Sequence, residues 1–301
     1  MMRLRHILEY VGLRLGLWLL DRLSLAAAER LALRAARLWY ALDGSRRRTA
    51  RENIRRSGVS TDPAEIDRIA RASFDHFATL VIESLKSDET LTGQNWQQHV
   101  DMQVDPETLA ILKEPGLGVI LVSGHLGNWE VAAQVVSILK PVVGITKKMS
   151  NPYSDRLIKR RKPRYRFRLV PMRDADVGRF LSVLKAGEIL ALLVDQYAKG
   201  QPVMVDFFGI PASTHPSPAL LHLVTRKPIC FGYCLRTGPM RFRFVAGKPL
   251  IFKPTGNREA DVKAILLELN HLLEKAIRES PEQYVWAHRR WRDDPAASGG
   301  S

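Results

Sequence analysis

The chain has only two cysteines in 301 residues, Cys230 and Cys234, and both fall in one apolar run over residues 229–235. They read as buried small hydrophobes in a strand rather than a reactive or metal-binding pair, and a reducing cytosol is their natural compartment. A Gly-rich nucleotide cradle, a zinc-ligand spacing and a Gly-x-Ser-x-Gly elbow are all missing, so no metal or redox cofactor is implied. A clean apolar span is missing too. Residues 7–20 are strongly apolar and include Trp18, but Glu9 and Arg14 interrupt them and Asp21-Arg22 closes them. A span needs about 20 largely apolar residues, and a central arginine costs about 2.5–3.5 kcal/mol on insertion scales. The stretch at about 7–22 therefore reads as a helix lying on or shallowly in a membrane interface, ahead of a true span or a cleaved signal peptide.

Acidic residues are in deficit: 46 Lys and Arg face 31 Asp and Glu, for a net charge of +15. The excess is concentrated. Residues 1–58 hold 13 arginines against five acids, and residues 147–173 hold 11 basic residues against Asp155 alone. An anionic partner follows, whether membrane, phosphorylated substrate, acidic carrier protein or nucleic acid. No recognisable nucleic-acid-binding module is present, which sets that last class aside.

The pattern along the chain gives an α/β fold with a mixed central sheet flanked by helices, preceded by a helical, membrane-associating N-terminal segment. Three-and-four spacing of apolar residues dominates residues 1–87, and Asp62-Pro63 marks the start of a helix running towards residue 85. Residues 88–115 read as a loop-rich connector. From residue 118 strands and helices alternate, with strands over 118–123, 142–146, 168–170, 189–194, 203–207, 228–235 and 241–246. Helices are expected over 129–139, 153–162, 176–185, 217–225 and 259–280. The division is thus 1–87 helical, 88–293 α/β core, and 294–301 a flexible tail.

Chemistry points to Ser123-Gly124-His125-Leu126-Gly127-Asn128-Trp129-Glu130, where a strand delivers a histidine into a tight loop ahead of a helix. His125 and Glu130 are five apart, so they cannot share one helical face. If His125 precedes the helix and Glu130 sits in its first turns, the carboxylate reaches back, fixes the imidazole tautomer and raises its basicity. Gly127 permits the turn, Asn128 suits an N-cap, and the amides there are candidates for an oxyanion site. An ordinary strand–helix turn, capped or solvated by its His and Glu, has the same pattern.

The His125-to-Glu130 stretch resembles the His-x4-Asp/Glu motif of the glycerolipid acyltransferase superfamily. Further boxes narrow the likeness to the late acyltransferases of lipid A biosynthesis, the lauroyl and myristoyl transferases. These are Asp195-Gln196, Phe207-Phe208-Gly209 with Ser213-Thr214 behind it, and Tyr284-Val-Trp286-Ala-His288-Arg289-Arg290. Order and spacing match from about residue 10 to about residue 293. Asp195-Gln-Tyr-Ala-Lys-Gly200 stands where many members have a longer Asp-x-Asp-x-Gly form, so the acceptor stays open, and mannoside acyltransferases of other envelopes share the first box.

The resemblance implies one-step acyl transfer from a thioester, acyl carrier protein or coenzyme A, to a hydroxyl of an anionic glycolipid. His125 is then the general base and Glu130 its orienting carboxylate. It further implies phosphate or carrier contacts from Lys147, Asn151, Arg156 or Arg160, and from Arg289 and Arg290, the latter pair serving equally as a membrane-interface belt. Asp195, with Gln196 in support, orients the loop, binds an arginine or caps a helix; Phe207, Phe208 and Gly209 pack or line an acyl channel, and His288 is a secondary candidate for the base.

Overall fold

In the computed structural model, which describes residues 2–161, 167–172 and 176–292, the N-terminal third is helical, as its periodicity predicts. It comprises α1 (Met2–Arg22), α2 (Leu25–Leu42), α3 (Gly44–Arg56) and α4 (Pro63–Thr90). The helix starts follow from local chemistry. Ser24 accepts from the Ala27 amide at the head of α2. Asp62 accepts from the Ala64 and Glu65 amides at the head of α4, and Pro63 occupies the first turn, where its missing N–H is harmless. The tail at 294–301 lies outside the described residues.

The connector expected at 88–115 is more ordered than its composition suggests. It holds the last turn of α4, strand β1 (Val100–Val104) and helix α5 (Pro106–Lys113). Among the described residues β1 pairs in the central sheet only with a strand some 140 residues further on, in register from Val100 opposite Phe242 to Val104 opposite Ala246. No local pattern announces such a partner.

Beyond it run β2 (Val119–Ser123), α6 (Trp129–Leu139), β3 (Val142–Thr146), α7 (Pro152–Arg161), β4 (Phe167–Pro171), α8 (Val177–Lys185) and β5 (Ile189–Leu193). The hairpin β6 (Val203–Phe207) and β7 (Ile210–Thr214) follows, then α9 (Ser217–Thr225), β8 (Ile229–Gly238), β9 (Arg241–Ala246) and α10 (Arg258–Glu279). Among the described residues the central sheet has seven strands in the order β1-β9-β8-β2-β5-β3-β4. Every adjacent pair in it is parallel except β8 with β9. The mixed sheet flanked by helices is therefore present. The strand at 203–207 does not join it; β6 and β7 pair with each other apart from the sheet.

A parallel strand is covered on both faces, so its apolar run is nearly continuous. β2 shows this residue by residue. Val119 and Leu121 pack on α5 and α6, while Ile120 and Val122 enter the larger core shared by α2–α4, α8, α9 and α10. Cys230 and Cys234 are both buried among apolar neighbours on the α6 side, and burial pushes the Cys230 thiol up to about 11. They belong to the packing, as their apolar setting predicts.

Candidate active site

β2 and β5 are adjacent, parallel and in register, with Ser123 opposite Leu193 at their last residues. Each strand is followed two residues later by a polar side chain, His125 after β2 and Asp195 after β5. The sheet itself therefore brings together two residues 70 apart in sequence, at the carboxyl edge where α/β folds place their ligands.

The pair is tightly built. His125 Nδ1 lies 2.8 Å from Asp195 Oδ1, and the His125 backbone N–H donates to Asp195 Oδ2 at 2.9 Å. Asp195 is buried, and it stays ionised. Burial pushes its carboxyl up, but His125 outweighs that and holds it down at about 2. Burial likewise pulls the His125 imidazole down, and Asp195, with help from Glu130, overcomes this and raises it above its ordinary value. A carboxylate on Nδ1 keeps the proton there and leaves Nε2 as the lone-pair nitrogen. Gln196 Nε2 stands 3.3 Å from that nitrogen, so its amide donates to it. The Trp129 ring and the imidazole meet in a T-shaped contact at a centroid separation of 4.9 Å.

This geometry corrects the expected division of labour. The group on Nδ1 is Asp195, arriving from the neighbouring strand, while Glu130 acts on the ring through its charge from the first turn of α6. The oxyanion expectation also changes. The Gly127 N–H donates to the Gln283 carbonyl at 3.0 Å and the Asn128 N–H to the Cys234 carbonyl at 2.7 Å, so both amides are committed. Asn128 does cap α6, accepting from the Val131 amide. Gly127 is required by its backbone: φ is +60°, and a Cβ there would sit 2.0 Å from the Cys234 carbonyl oxygen.

The loop is held from below by groups no motif announced. His76 of α4 is buried, with Nε2 3.1 Å from the Gly127 carbonyl, to which it donates. Burial pulls the His76 ring down to about 4, so it is neutral at ordinary pH. Glu83, one helical stretch further along α4, is fully buried. It takes the Arg236 Nε–H at 2.8 Å, the Met240 amide at 3.1 Å and the Asn128 side-chain amide at 3.3 Å.

The C-terminal box closes the other side. The Val285 amide donates to the His125 carbonyl, and Asn53 of α3 donates to the Trp286 and His288 carbonyls at 2.8 and 2.7 Å. Tyr284 is buried, and its hydroxyl is raised well above its usual range by burial and by the Asp195 carboxylate. Arg289 is exposed, but Arg290, expected beside it as a phosphate contact, is buried. Its guanidinium donates to the Ser213 carbonyl and to Thr214 Oγ1, clamping the end of β7. His288 Nε2 accepts from the Tyr197 amide at 3.3 Å, and burial pulls the ring below its ordinary value. Its basic nitrogen is thus occupied, which removes it as a rival base. Phe207 packs on Trp291, and Phe208 and Gly209, both at positive φ, make the two-residue turn of the β6–β7 hairpin.

Among the other expected contacts, Lys147 follows β3 and is exposed on the carboxyl edge of the sheet, and Arg156 is exposed on α7. Asn151 is buried and faces α1 instead. Its side-chain amide donates to the His6 carbonyl at 2.7 Å and to Glu9 at 3.1 Å, and its oxygen accepts from the amides of Tyr153 and Ser154. The Arg160 side chain lies outside the described residues. No cluster of three metal-ligating side chains occurs among the described residues.

A histidine whose tautomer is set by a buried carboxylate, on the carboxyl edge of parallel strands, is the arrangement of an α/β enzyme that moves a proton. The chain belongs to the bacterial lipid A biosynthesis acyltransferase family, which it matches over residues 2–293; it is an O-acyltransferase. It is 23% identical to the lipid A biosynthesis palmitoleoyltransferase of Escherichia coli over 97% of this chain and 93% of that one. It is 27% identical to the lipid A biosynthesis lauroyltransferase of the same organism over 59% and 57% of the two chains. Among solved structures, the 1-acyl-sn-glycerophosphate acyltransferase PlsC of Thermotoga maritima aligns with 81% of this chain and 95% of its own, at 12% identity and a TM-score of 0.35. That likeness is too weak to argue from.

Proposed function

We propose that the protein transfers a fatty acyl chain from an acyl thioester, with acyl carrier protein the favoured donor, to a hydroxyl of a lipid A precursor. The single observation that carries the mechanism is the His125–Asp195 pair, 2.8 Å apart with Nε2 left as the base. In this reading the acceptor hydroxyl displaces the Gln196 amide from Nε2. It loses its proton there as its oxygen attacks the thioester carbonyl, and the thiolate leaves in the same addition–elimination. The imidazolium so formed is stabilised by Asp195 in contact and by Glu130 at longer range. Positioned general-base catalysis contributes about 10²–10⁴ in rate.

In this reading the reaction runs at the cytoplasmic face of the bacterial inner membrane, with α1 lying on the surface. Among the described residues no helix is long and apolar enough to cross a membrane. α1 exposes Leu4, Leu8, Leu15 and Trp18, each by more than half, and is fastened to the α7 region through Asn151. Large exposed apolar faces of this kind mark membrane or protein contacts. The exposed Lys147 and Arg156 suit the phosphates of the carrier's prosthetic group or of the glycolipid.

The test is mass spectrometry of lipid A from a deletion strain complemented with the wild-type gene, His125→Ala or Glu130→Ala. Wild type is expected to restore one acyl chain; His125→Ala, folded by circular dichroism, to lose at least about two decades of turnover; and Glu130→Ala to lose less, because Asp195 still holds the ring. A lipid A profile indifferent to the wild-type gene would exclude lipid A as the acceptor.

A further inference from the structure

The arginine excess of the N-terminal segment plays no part in the His125 site, and the fold gathers three of its 13 arginines, with Arg71, in one place. Between α2, α3 and α4 lies a cleft of about 470 Å³ lined by Arg37, Tyr40, Arg47, Arg51, Asp67 and Arg71. Arg47 and Arg51 are one turn apart on α3 and so share a face. Arg37 comes from α2 and Arg71 from α4.

The cleft is organised rather than merely charged. Asp67 is fixed at 2.6 Å by the Tyr40 hydroxyl and at 2.7 Å by Arg71, with Arg51 at 3.7 Å. Arg47 caps the end of α2 by donating to the Tyr40 and Ala41 carbonyls at 2.6 and 2.8 Å. The Arg47 and Arg71 guanidiniums stand 5.6 and 5.1 Å from the Tyr40 ring centroid. Four arginines therefore line the cleft together with Asp67, and two of them, Arg51 and Arg71, act on its carboxylate directly. On the opposite side of α2 a second concavity, about 620 Å³, is lined by Leu38, Trp39 and Leu42, and Leu38 and Leu42 are 60% and 76% exposed. α2 follows α1 directly, and a concavity lined by Leu19, Leu23 and Leu31 joins the two, so the leucine side of α2 continues the apolar surface of α1.

Arginine forks match phosphate oxygens two at a time, and an apolar face on the other side of the same helix suits the neighbouring lipid. We propose that the α2–α3–α4 cleft binds the phosphate of an anionic phospholipid headgroup, as a site separate from His125, while the Leu38–Leu42 face meets the acyl region. This deepens the membrane placement proposed above and rests on it.

The experiment uses the full chain with phosphatidylcholine vesicles, with and without phosphatidylglycerol. Wild type is expected to bind the anionic vesicles more tightly. Arg37→Ala/Arg51→Ala should lose about fivefold per arginine, roughly 25-fold together, and should keep its affinity for neutral vesicles. Lys248→Ala/Lys253→Ala removes the same charge from an exposed segment elsewhere and should change anionic binding less than threefold. Equal losses in the two double variants would mean diffuse charge and overturn the site, as would wild-type affinity in Arg37→Ala/Arg51→Ala. If inorganic phosphate stabilises the wild type but not that variant, while vesicle binding is the same in both, the cleft takes free phosphate and the lipid assignment fails. If wild type binds neither vesicle, the membrane placement itself fails.

Discussion

Replacing Asp195 with asparagine should do more than remove a charge. The carboxylate serves two donors at once: its Oδ2 takes the His125 backbone N–H and its Oδ1 faces the ring Nδ1. The backbone donor cannot rotate away, so the asparagine oxygen must face it. That turns the asparagine NH₂ towards the imidazole, forces Nδ1 to accept, and puts the ring proton on Nε2. Nε2 can then no longer take a proton from a hydroxyl. The whole general-base contribution is at stake, about 10²–10⁴ in turnover or about 3–5 kcal/mol of barrier. Asp195→Ala removes the orienting group without imposing the wrong tautomer, so it should retain more activity than Asp195→Asn. The wild-type acid limb also has a defined position. His125 works when neutral and its pKa is raised, so activity should climb with pH through a value above 6.5. In Asp195→Ala the burial that lowers the ring persists without the carboxylate, so the residual activity should have its acid limb at lower pH. The assay is single-turnover acyl transfer across pH, with ¹⁵N imidazole shifts reporting the tautomer and a thermal melt confirming the fold. Asp195→Asn within tenfold of wild type, on an unshifted limb, would refute the reasoning.

Two further outcomes concern stability. Arg236→Met strands the fully buried Glu83 carboxylate and should destabilise by about 3–5 kcal/mol in urea unfolding; adding Glu83→Met should recover much of that loss, and a double variant worse than the single would show that the pair is not the cause. The folded chain refuses His76 a proton that the unfolded chain accepts below about pH 6.5. The stability this represents is complete above that pH and is lost progressively down to about pH 4, up to about 3 kcal/mol. Urea unfolding between pH 7 and 4.5 should show the fall, and His76→Gln, which cannot titrate, should flatten it.

The sequence made the strand–loop–helix around His125 legible because its signals are local: an apolar run, two glycines and an N-capping Asn128. Asp195 was legible as a loop residue at a strand end but not as the partner of Nδ1. Its approach depends on β5 lying beside β2 in register, a fact of sheet order that no window of sequence contains. Glu130 drew the expectation because it was near in sequence; the nearer group in space comes from 70 residues away. Distance of the same kind hid β1, whose partner β9 follows some 140 residues later. Arg290 misled for a different reason. Beside exposed Arg289 its charge reads as surface, yet an irregular segment of turn and bend brings it inward onto the end of β7.

The boundary drawn at residue 87 separates segments that the site joins. His76 and Glu83 of α4 hold the Gly127–Asn128 turn from beneath, through the Gly127 carbonyl and the Asn128 side chain. Asn53 of α3 holds the Trp286 and His288 carbonyls of the same C-terminal segment whose Val285 amide fixes the His125 carbonyl. A lone histidine loop after a strand would be free to sample several turns. Here its backbone is tied at His125, Gly127 and Asn128 to α4, β8 and the C-terminal segment, while the ring and the Gln196 side chain keep access to the outside. The helical layer is thus part of the framework that holds His125, and on the proposed membrane placement the α1–α2 surface it carries ties the orientation of His125 to the way the enzyme meets a membrane.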